Sequence, residues 1–361
     1  MISAKVIADS KNESGNRITT MIITLPRIIL AELNTHRMLS KNSASSRAIP
    51  FKKMLKSVKE NPFIPIAWQK DHKGMQGGEY IIDKAKIDIR RKNWLRGLDR
   101  MILTAEGLHA NIMADGGITI DIDGEGVTKQ LCNRLLEPFM WHTVIVTATE
   151  WENFFALRCP KYKVVDGLNG ANAGLTYYRS WKDLVKKEAL GLTTKQFLEN
   201  MSLLERLQKN SGQAEIHMMA LAEAMWDAYN ESTPKELQDG EWHIPFENQI
   251  LLKLNETIDQ KEFIDQWKVY LVKIATAMCA RVSYTVVGEE DREPDFEKDI
   301  KLHDHLATSG HWSPFEHCAR VMDERNWDDI LDDQSGNFRG FIQYRKTFHN
   351  ENIEQKLGKS F

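Results

Sequence analysis

The chain has 361 residues, 42% of them apolar, enough to bury a full core in one large domain or two. Its 48 basic and 51 acidic residues nearly cancel, so no global field draws it to nucleic acid or membrane, and any anion site is local. Four cysteines without C-x-x-C spacing argue against a disulfide framework and a zinc site; with no charged leader and no apolar run long enough to span a bilayer, they predict a cytoplasmic protein.

Residues 5–9 read as a short strand and 10–16 as a polar turn containing Gly15. Residues 17–25 alternate β-branched and apolar types, the pattern of a second strand. Pro26 suits the first turn of a helix, and residues 27–33 carry the apolar spacing that follows. Directly behind stands Thr35-His36-Arg37-Met38-Leu39-Ser40-Lys41-Asn42-Ser43-Ala44-Ser45-Ser46-Arg47, which begins at a helix end and runs into a loop. The guanidinium forks of Arg37 and Arg47 match phosphate oxygens bidentately, and Ser40, Ser45 and Asn42 add short neutral hydrogen-bonding groups. The stretch suits an anion, although its composition also fits a polar helix end and a solvated loop.

Residues 49–60 predict a second helix, and 61–65 with 74–78 an irregular connection that walls a site. Leu98, Met101, Ile102, Ala105, Leu108, Ile112 and Met113 recur at helical spacing, predicting a core helix over 94–114 whose His109 is a core or surface histidine. Residues 121–126 lack the register and terminal glutamate of a calcium loop and read as a turn. A helix over 127–137 ends at Pro138, and 143–149 is a β-branched run. Within 159–211, Gly167, Gly170 and Gly174 make a loop without a dinucleotide fingerprint, and 181–190 and 194–208 read as charged, exposed helices. An amphipathic helix runs on from Gln213 through Tyr229, residues 241–246 form an aromatic loop assigned to packing, and 267–280 is an apolar helix. An acidic loop covers 288–298 and a helix 304–309. His303, His305, His311 and His317 lack the helical pairing of a metal site. Residues 336–346 supply a strand and positive charge for no stated ligand.

The order of residues 35–47 resembles the signature of the FAD-dependent thymidylate synthases, Arg-His-Arg-x-x-Ser-x-Asn-x-x-Ser-x-Arg. Thr35 stands at the first arginine, and His36, Arg37, Ser40, Asn42, Ser45 and Arg47 meet the other fixed positions. Asn133-Arg134-Leu135-Leu136-Glu137-Pro138 and the run from Thr147 to Arg158 look like the family's central block. Ala280-Arg281-Val282-Ser283 and His311-Trp312-Ser313-Pro314-Phe315-Glu316-His317 match elements that precede the signature in shorter members and follow it here, so the chain looks circularly permuted. The similarity leaves 159–211 as an atypical insertion and 324–361 as a C-terminal extension of a single domain over 1–361.

The strand and helix readings, which do not alternate cleanly, predict an α+β fold, a mixed or antiparallel sheet flanked by helices; the resemblance implies a homotetramer with sites between subunits. It implies methylation of dUMP to dTMP, with 5,10-methylenetetrahydrofolate as carbon donor, reduced FAD as hydride source and NADPH recharging it. By position, Glu32, Ser45, Ser46, Arg47, Arg134 and Arg158 would bind dUMP, with Arg158 catalytic. Thr35, His36, Arg37, Ser43, Thr147, Thr149, Asn153, His311 and Ser313 would hold FAD. Making C5 of uracil nucleophilic takes either a cysteine thiolate or polarisation of the ring; Cys159 is the nearest thiol, and the resemblance implies polarisation by Arg158. Two departures bear on the base. Glu32 stands for the usual glutamine and Thr35 for arginine, and a carboxylate accepts from the exocyclic amine of cytosine. The alternatives are therefore a flavoenzyme that methylates or hydroxymethylates dCMP or another pyrimidine nucleotide, and a catalytically silent flavin- or nucleotide-binding protein.

Overall fold

The alternation in residues 17–25 puts Met21, Ile23 and Leu25 on one side of a strand and Ile22 on the other, and both sides are buried. This strand is the middle of a five-stranded sheet in the computed structural model, which describes residues 1–74, 79–110, 112–115, 118–121, 126–166, 174–187, 200–208, 210–257, 264–288, 293–322 and 335–351. The chain runs β1 (Ser3–Asn12), β2 (Arg17–Pro26), α1 (Leu30–Asn34), β3 (Ser40–Ser43), α2 (Phe51–Glu60), α3 (Lys84–Ala110), β4 (Ile112–Asp115) and β5 (Ile118–Asp121). It continues through α4 (Lys129–Leu136), β6 (Trp141–Ala148), α5 (Glu152–Arg158), β7 (Tyr162–Asp166), β8 (Gly174–Tyr178), α6 (Trp181–Lys187), α7 (Leu203–Gln208) and α8 (Ile216–Glu231). Last come β9 (Lys235–Leu237), β10 (Trp242–His243), α9 (Glu247–Thr257), α10 (Ile264–Arg281), α11 (Phe296–Thr308), β11 (Ala319–Val321) and β12 (Phe341–Gln343).

The main sheet has the order β3-β6-β2-β1-β9, antiparallel except where β9 joins β1 in parallel. Val144, Val146 and Ala148 of β6 extend the face of Met21, Ile23 and Leu25, which α1, α5 and α8 cover through Leu33, Phe154, Phe155, Met218, Leu221 and Met225. Ile22 and Ile145 face the opposite way, against Val272, Ile274, Ala275 and Met278 of α10. A second antiparallel sheet, β10-β11-β12, lies beside that layer. The architecture is thus α+β, a mixed sheet flanked by helices, as expected.

Several boundaries differ from the sequence reading. The helix expected over 94–114 begins at Lys84 and stops at Ala110, and Ile112 and Met113 belong to a strand. The helix expected to end at Pro138 runs Lys129–Leu136 and tightens into a 3-10 turn, Glu137–Phe139, whose first turn accommodates the proline ring. The helix expected at 304 begins at Phe296, where the Asp295 side chain accepts from the Lys298 amide and so caps it. Residues 40–43 form a strand, β3, rather than loop. In 159–211, β7 and β8 make a hairpin, and α6 is not an exposed helix: Trp181 and Leu184 are buried with Tyr162 and Met201. Gly167, Gly170, the end of the helix expected over 181–190, the start of the one expected over 194–208 and parts of the readings at 74–78, 121–126, 288–298 and 324–361 lie outside the described residues. Residues 335–351 fold back, burying Phe338 and Phe341 with Ile18, Ala319 and Val321.

Candidate functional site

A short polar strand forms where the signature stands because its inward groups find partners. β3 pairs with β6, Ser40 opposite Thr147 and Ser43 opposite Val144, so Ser40 and Asn42 face inward. The Ser40 hydroxyl accepts from Gln343 Nε2 at 3.2 Å, and Asn42 Nδ2 donates to the Cys279 carbonyl at 2.8 Å. Asn42 Oδ1 accepts from the hydroxyls of Ser283 and Ser313, each at 3.4 Å, and the Ser45 amide donates to the Ser283 carbonyl at 3.1 Å. Buried amide groups without such partners would cost about 1–3 kcal/mol each. One asparagine thereby joins the signature to the two blocks that follow it 241 and 271 residues later.

Arg158, at the C-terminal end of α5, lies in front of α1. Its Nη1 pairs with the Glu32 carboxylate, and its Nε donates to His36 Nε2 at 2.9 Å. Burial, followed by the positive charges of Arg158 and Lys41, pushes His36 down to about 4, so the ring is neutral and accepts. Burial raises the Glu32 carboxyl against the pull of Arg158, and the nearby Glu215 adds to the rise. Lys41 donates to the His36 carbonyl at 2.6 Å, and burial lowers its ammonium to about 8 although Glu316 opposes this. Lys41 and Glu215 were missed in the sequence; Lys41 occupies a variable position of the signature, and only the fold brings Glu215 to Glu32.

A second group gathers where the chain leaves β3. The turn after it sits on α4: Asn133 Nδ2 donates to the carbonyls of Ser46 and Ile49, at 2.8 and 3.0 Å, and Lys129 Nζ donates to Ala48 at 3.0 Å. Ser46 donates its hydroxyl to Glu137, which also pairs with Arg27 at 3.4 Å. Arg47 and Arg134, the neighbours of Ser46 and Asn133, are exposed and meet no carboxylate among the described residues. The Ser45 hydroxyl accepts from the Arg47 amide at 3.3 Å. Within one chain the segments that carry Arg47 and Arg134 are thus joined through Asn133 and Ser46, whereas Arg158 is tied to His36 at the other end of β3, a strand of about 13 Å.

The expected flavin contacts divide. Arg37, Asn153, His311 and Ser313 are exposed, and Ser43 is half-buried on the outer side of β3. Arg37 likewise meets no carboxylate among the described residues. Thr35 is exposed, but its hydroxyl donates to the Glu32 carbonyl at 2.7 Å and closes its own helix end. Thr149 accepts from the Arg339 amide at 3.0 Å. Thr147 is a correction: it is fully buried, and its hydroxyl shares hydrogen bonds of 2.8 Å with Thr20 and with His317 Nδ1. Its side chain faces the α10 layer because alternation puts it on the Ile145 side of β6. Thr20 also bonds His243 Nε2 at 2.8 Å, and His243 Nδ1 bonds Ser10 at 2.9 Å, so a chain of five polar side chains crosses this layer. Residues 241–246 therefore contribute more than packing.

Cys159 is buried against the Ala222 carbonyl, 3.5 Å away, and burial raises its thiol, so a thiolate there is disfavoured. Cys279 and Cys318 are raised for the same reason, Cys318 to about 12, and Cys132 is buried too. His303 bonds Asp304 at 2.8 Å and the Tyr344 hydroxyl at 3.1 Å, and His311 bonds Ser309 at 2.9 Å. Among the described residues no group of three or more His, Cys, Asp and Glu could hold a metal ion, and no helix is long and apolar enough to cross a membrane. Arg345 pairs with Glu316 and Glu351, and Arg339 with Glu150, so these positive charges of the 336–346 stretch are used within the fold.

No protein-family model matches the chain, and no curated protein matches it. Among solved structures it is similar to the UMP/dUMP methylase PolB from Streptomyces cacaoi bound with 5-Br dUMP, at 10% identity over 64% of this chain and 91% of that chain, with a TM-score of 0.38. The same methylase bound with 5-Br UMP gives 11% identity over 64% and 89%, with a TM-score of 0.37. A likeness of this degree assigns neither substrate nor activity.

Proposed function

We propose that this chain is a flavin-dependent methyltransferase that converts dUMP to dTMP, taking its carbon from methylenetetrahydrofolate and recharging its flavin with NADPH. The observation that carries the reading is the junction at Asn42, where three blocks of the resemblance, scattered in the sequence and in permuted order, share one set of hydrogen bonds. The exposed side chains assigned to FAD fit that group: Arg37 offers an uncompensated positive charge to a pyrophosphate, and Asn153, His311 and Ser313 offer polar groups. Bound flavin would supply the hydride that reduces the transferred carbon unit.

The chain's own part is electrostatic. A guanidinium has five N–H donors; Arg158 uses one on His36 and one on Glu32, which leaves three to face a pyrimidine. Held from two sides, it stabilises negative charge on the ring oxygen and nitrogen, which makes C5 nucleophilic without a protein thiolate. Arg47 and Arg134, with Ser45 and Ser46 in the turn between β3 and α2, would fix the nucleotide phosphate. Their separation from Arg158 in one chain accords with a homotetramer in which two subunits complete each site.

A second reading follows from Glu32. A carboxylate beside Arg158 is an acceptor suited to the exocyclic amine of cytosine, so dCMP, methylated or hydroxymethylated, is the competing substrate. Purified protein is to be assayed with dUMP and dCMP, with mass spectrometry of the product. Turnover of dUMP to a methylated product is expected, and turnover of dCMP alone would reject the uracil reading. An absorbance spectrum separates both from a silent module: a colourless protein that takes up no FAD has no flavin chemistry.

A further inference from the structure

A cavity of about 900 Å³ opens between the 159–211 segment and α8, and none of its lining residues belongs to the site above. Its volume is that of a small-molecule pocket, and its walls are mainly apolar, with Trp141, Trp181, Ile66 and Val185 among them. Two carboxyls one helical turn apart on α8, Glu223 and Asp227, line one side. Glu223 is buried; its Oε1 accepts from the Trp181 amide at 2.6 Å and its Oε2 from the Tyr162 hydroxyl at 3.2 Å. Each oxygen keeps a second lone pair; Asp227 accepts a hydrogen bond from Ser180, while its Oδ1 is buried with no hydrogen-bond partner. The α8 side of the cavity therefore offers acceptors, and Trp141, another lining residue, offers a buried indole N–H that has no partner. Burial raises both carboxyls, Glu223 to about 7. On the outer side, the exposed Lys182 and Lys186 both reach Glu231, Lys182 also lies near Asp227 and Asp183, and Arg206 lies over the Trp181 ring.

We propose that this cavity is a second ligand site, for a planar nitrogen heterocycle that presents adjacent N–H groups to Glu223 and Asp227, lies against the tryptophans and carries an anionic tail to Lys182 and Lys186. Reduced pterins with an acidic side chain and guanine nucleotides share this chemistry: in both an amino group stands beside a ring N–H, a pair that one carboxylate accepts. The site does not rest on the proposed methylation, and binding by protein that turns over no nucleotide leaves it standing.

The test is calorimetric titration of the full chain with 5-formyltetrahydrofolate and with GMP, whose relative affinity distinguishes the two sources. Ala224→Leu, which fills the cavity, and Asp227→Asn, which keeps shape but removes charge, are each expected to weaken the bound probe about tenfold or more. Melting temperature reports folding, and if Ala224→Leu fails to fold, Asp227→Asn decides. Absence of binding by both probes, or wild-type affinity in the folded variants, would overturn the proposal.

Discussion

The interior of the main sheet and the rim beside β3 use polar side chains in opposite ways. On the α10 side, Ser10, His243, Thr20, Thr147 and His317 bond one another in a continuous chain, and only His317 Nε2 at its end is left over. On the rim, Arg37, Arg47 and Arg134 are exposed without carboxylate partners among the described residues, and Arg158 is held but retains donors. The first arrangement fixes register, because a slip of one residue would strand each of its groups in an apolar layer. The second leaves charge available to a ligand. A polar residue's place in a family motif therefore does not reveal its use: Thr147 lies in the central block and serves the interior, whereas Arg134 in the same block is at the surface.

The largest effect expected at the rim is that of Arg158→Ala, which removes the charge proposed to polarise the base. Turnover should fall about 10²–10³-fold while flavin absorbance persists, and unaltered product formation would show that the arginine has no part in the chemistry. Arg47→Ala and Arg134→Ala each remove a charge proposed to hold the nucleotide phosphate, so KM for the nucleotide should rise about 10- to 100-fold with little change in melting temperature. A large loss of stability instead would move these arginines to the structural side of the comparison.

Acid tests the interior. Burial pushes His142, His243 and His317 down to about 3 from an ordinary 6.5. Their contribution is complete above 6.5 and is lost as pH falls, because the unfolded chain takes up protons that the folded chain refuses. At pH 5 this amounts to about 2 kcal/mol for each. Glu223, raised to about 7, and Asp299, raised to about 6, act in the other direction and recover part of that loss as they protonate. His36, lowered to about 4 and only partly buried, adds to the loss, so urea titrations at pH 7.5 and 5 should show a net loss of about 2–4 kcal/mol. Stability that rose on acidification would mean that the histidines are not held neutral. The smallest effect is expected from Thr147→Val, which keeps shape but removes the hydroxyl between Thr20 and His317, at about 1–2 kcal/mol of stability. It should leave FAD uptake intact, and a variant that folds but binds no flavin would return Thr147 to the rim.

Much of the fold was legible because it rests on local periodicity. Alternation in 17–25 and the β-branched run at 143–149 marked the two central strands, and the apolar spacing of 267–280 marked the helix beneath them. The candidate site was legible as a set of side chains. Which of them meet was not, since Ser283 and Ser313 reach Asn42 through contacts that no local pattern encodes. The 159–211 segment was misread because the charges of α6 masked Trp181 and Leu184, whose burial depends on Tyr162 and Met201.

What the amino-acid order determined by itself was the α+β class, the strands and helices with clear period, and the concentration of cations and hydroxyls at 35–47, because each depends on neighbours along the chain. Tertiary structure alone decided that Ser40–Ser43 would be a strand, that Glu32 and His36 would hold Arg158, and that Thr147 would turn inward. The physical reason is common to all three: a polar group is satisfied by whichever partner the fold brings within about 3 Å, and those partners lie far away in sequence.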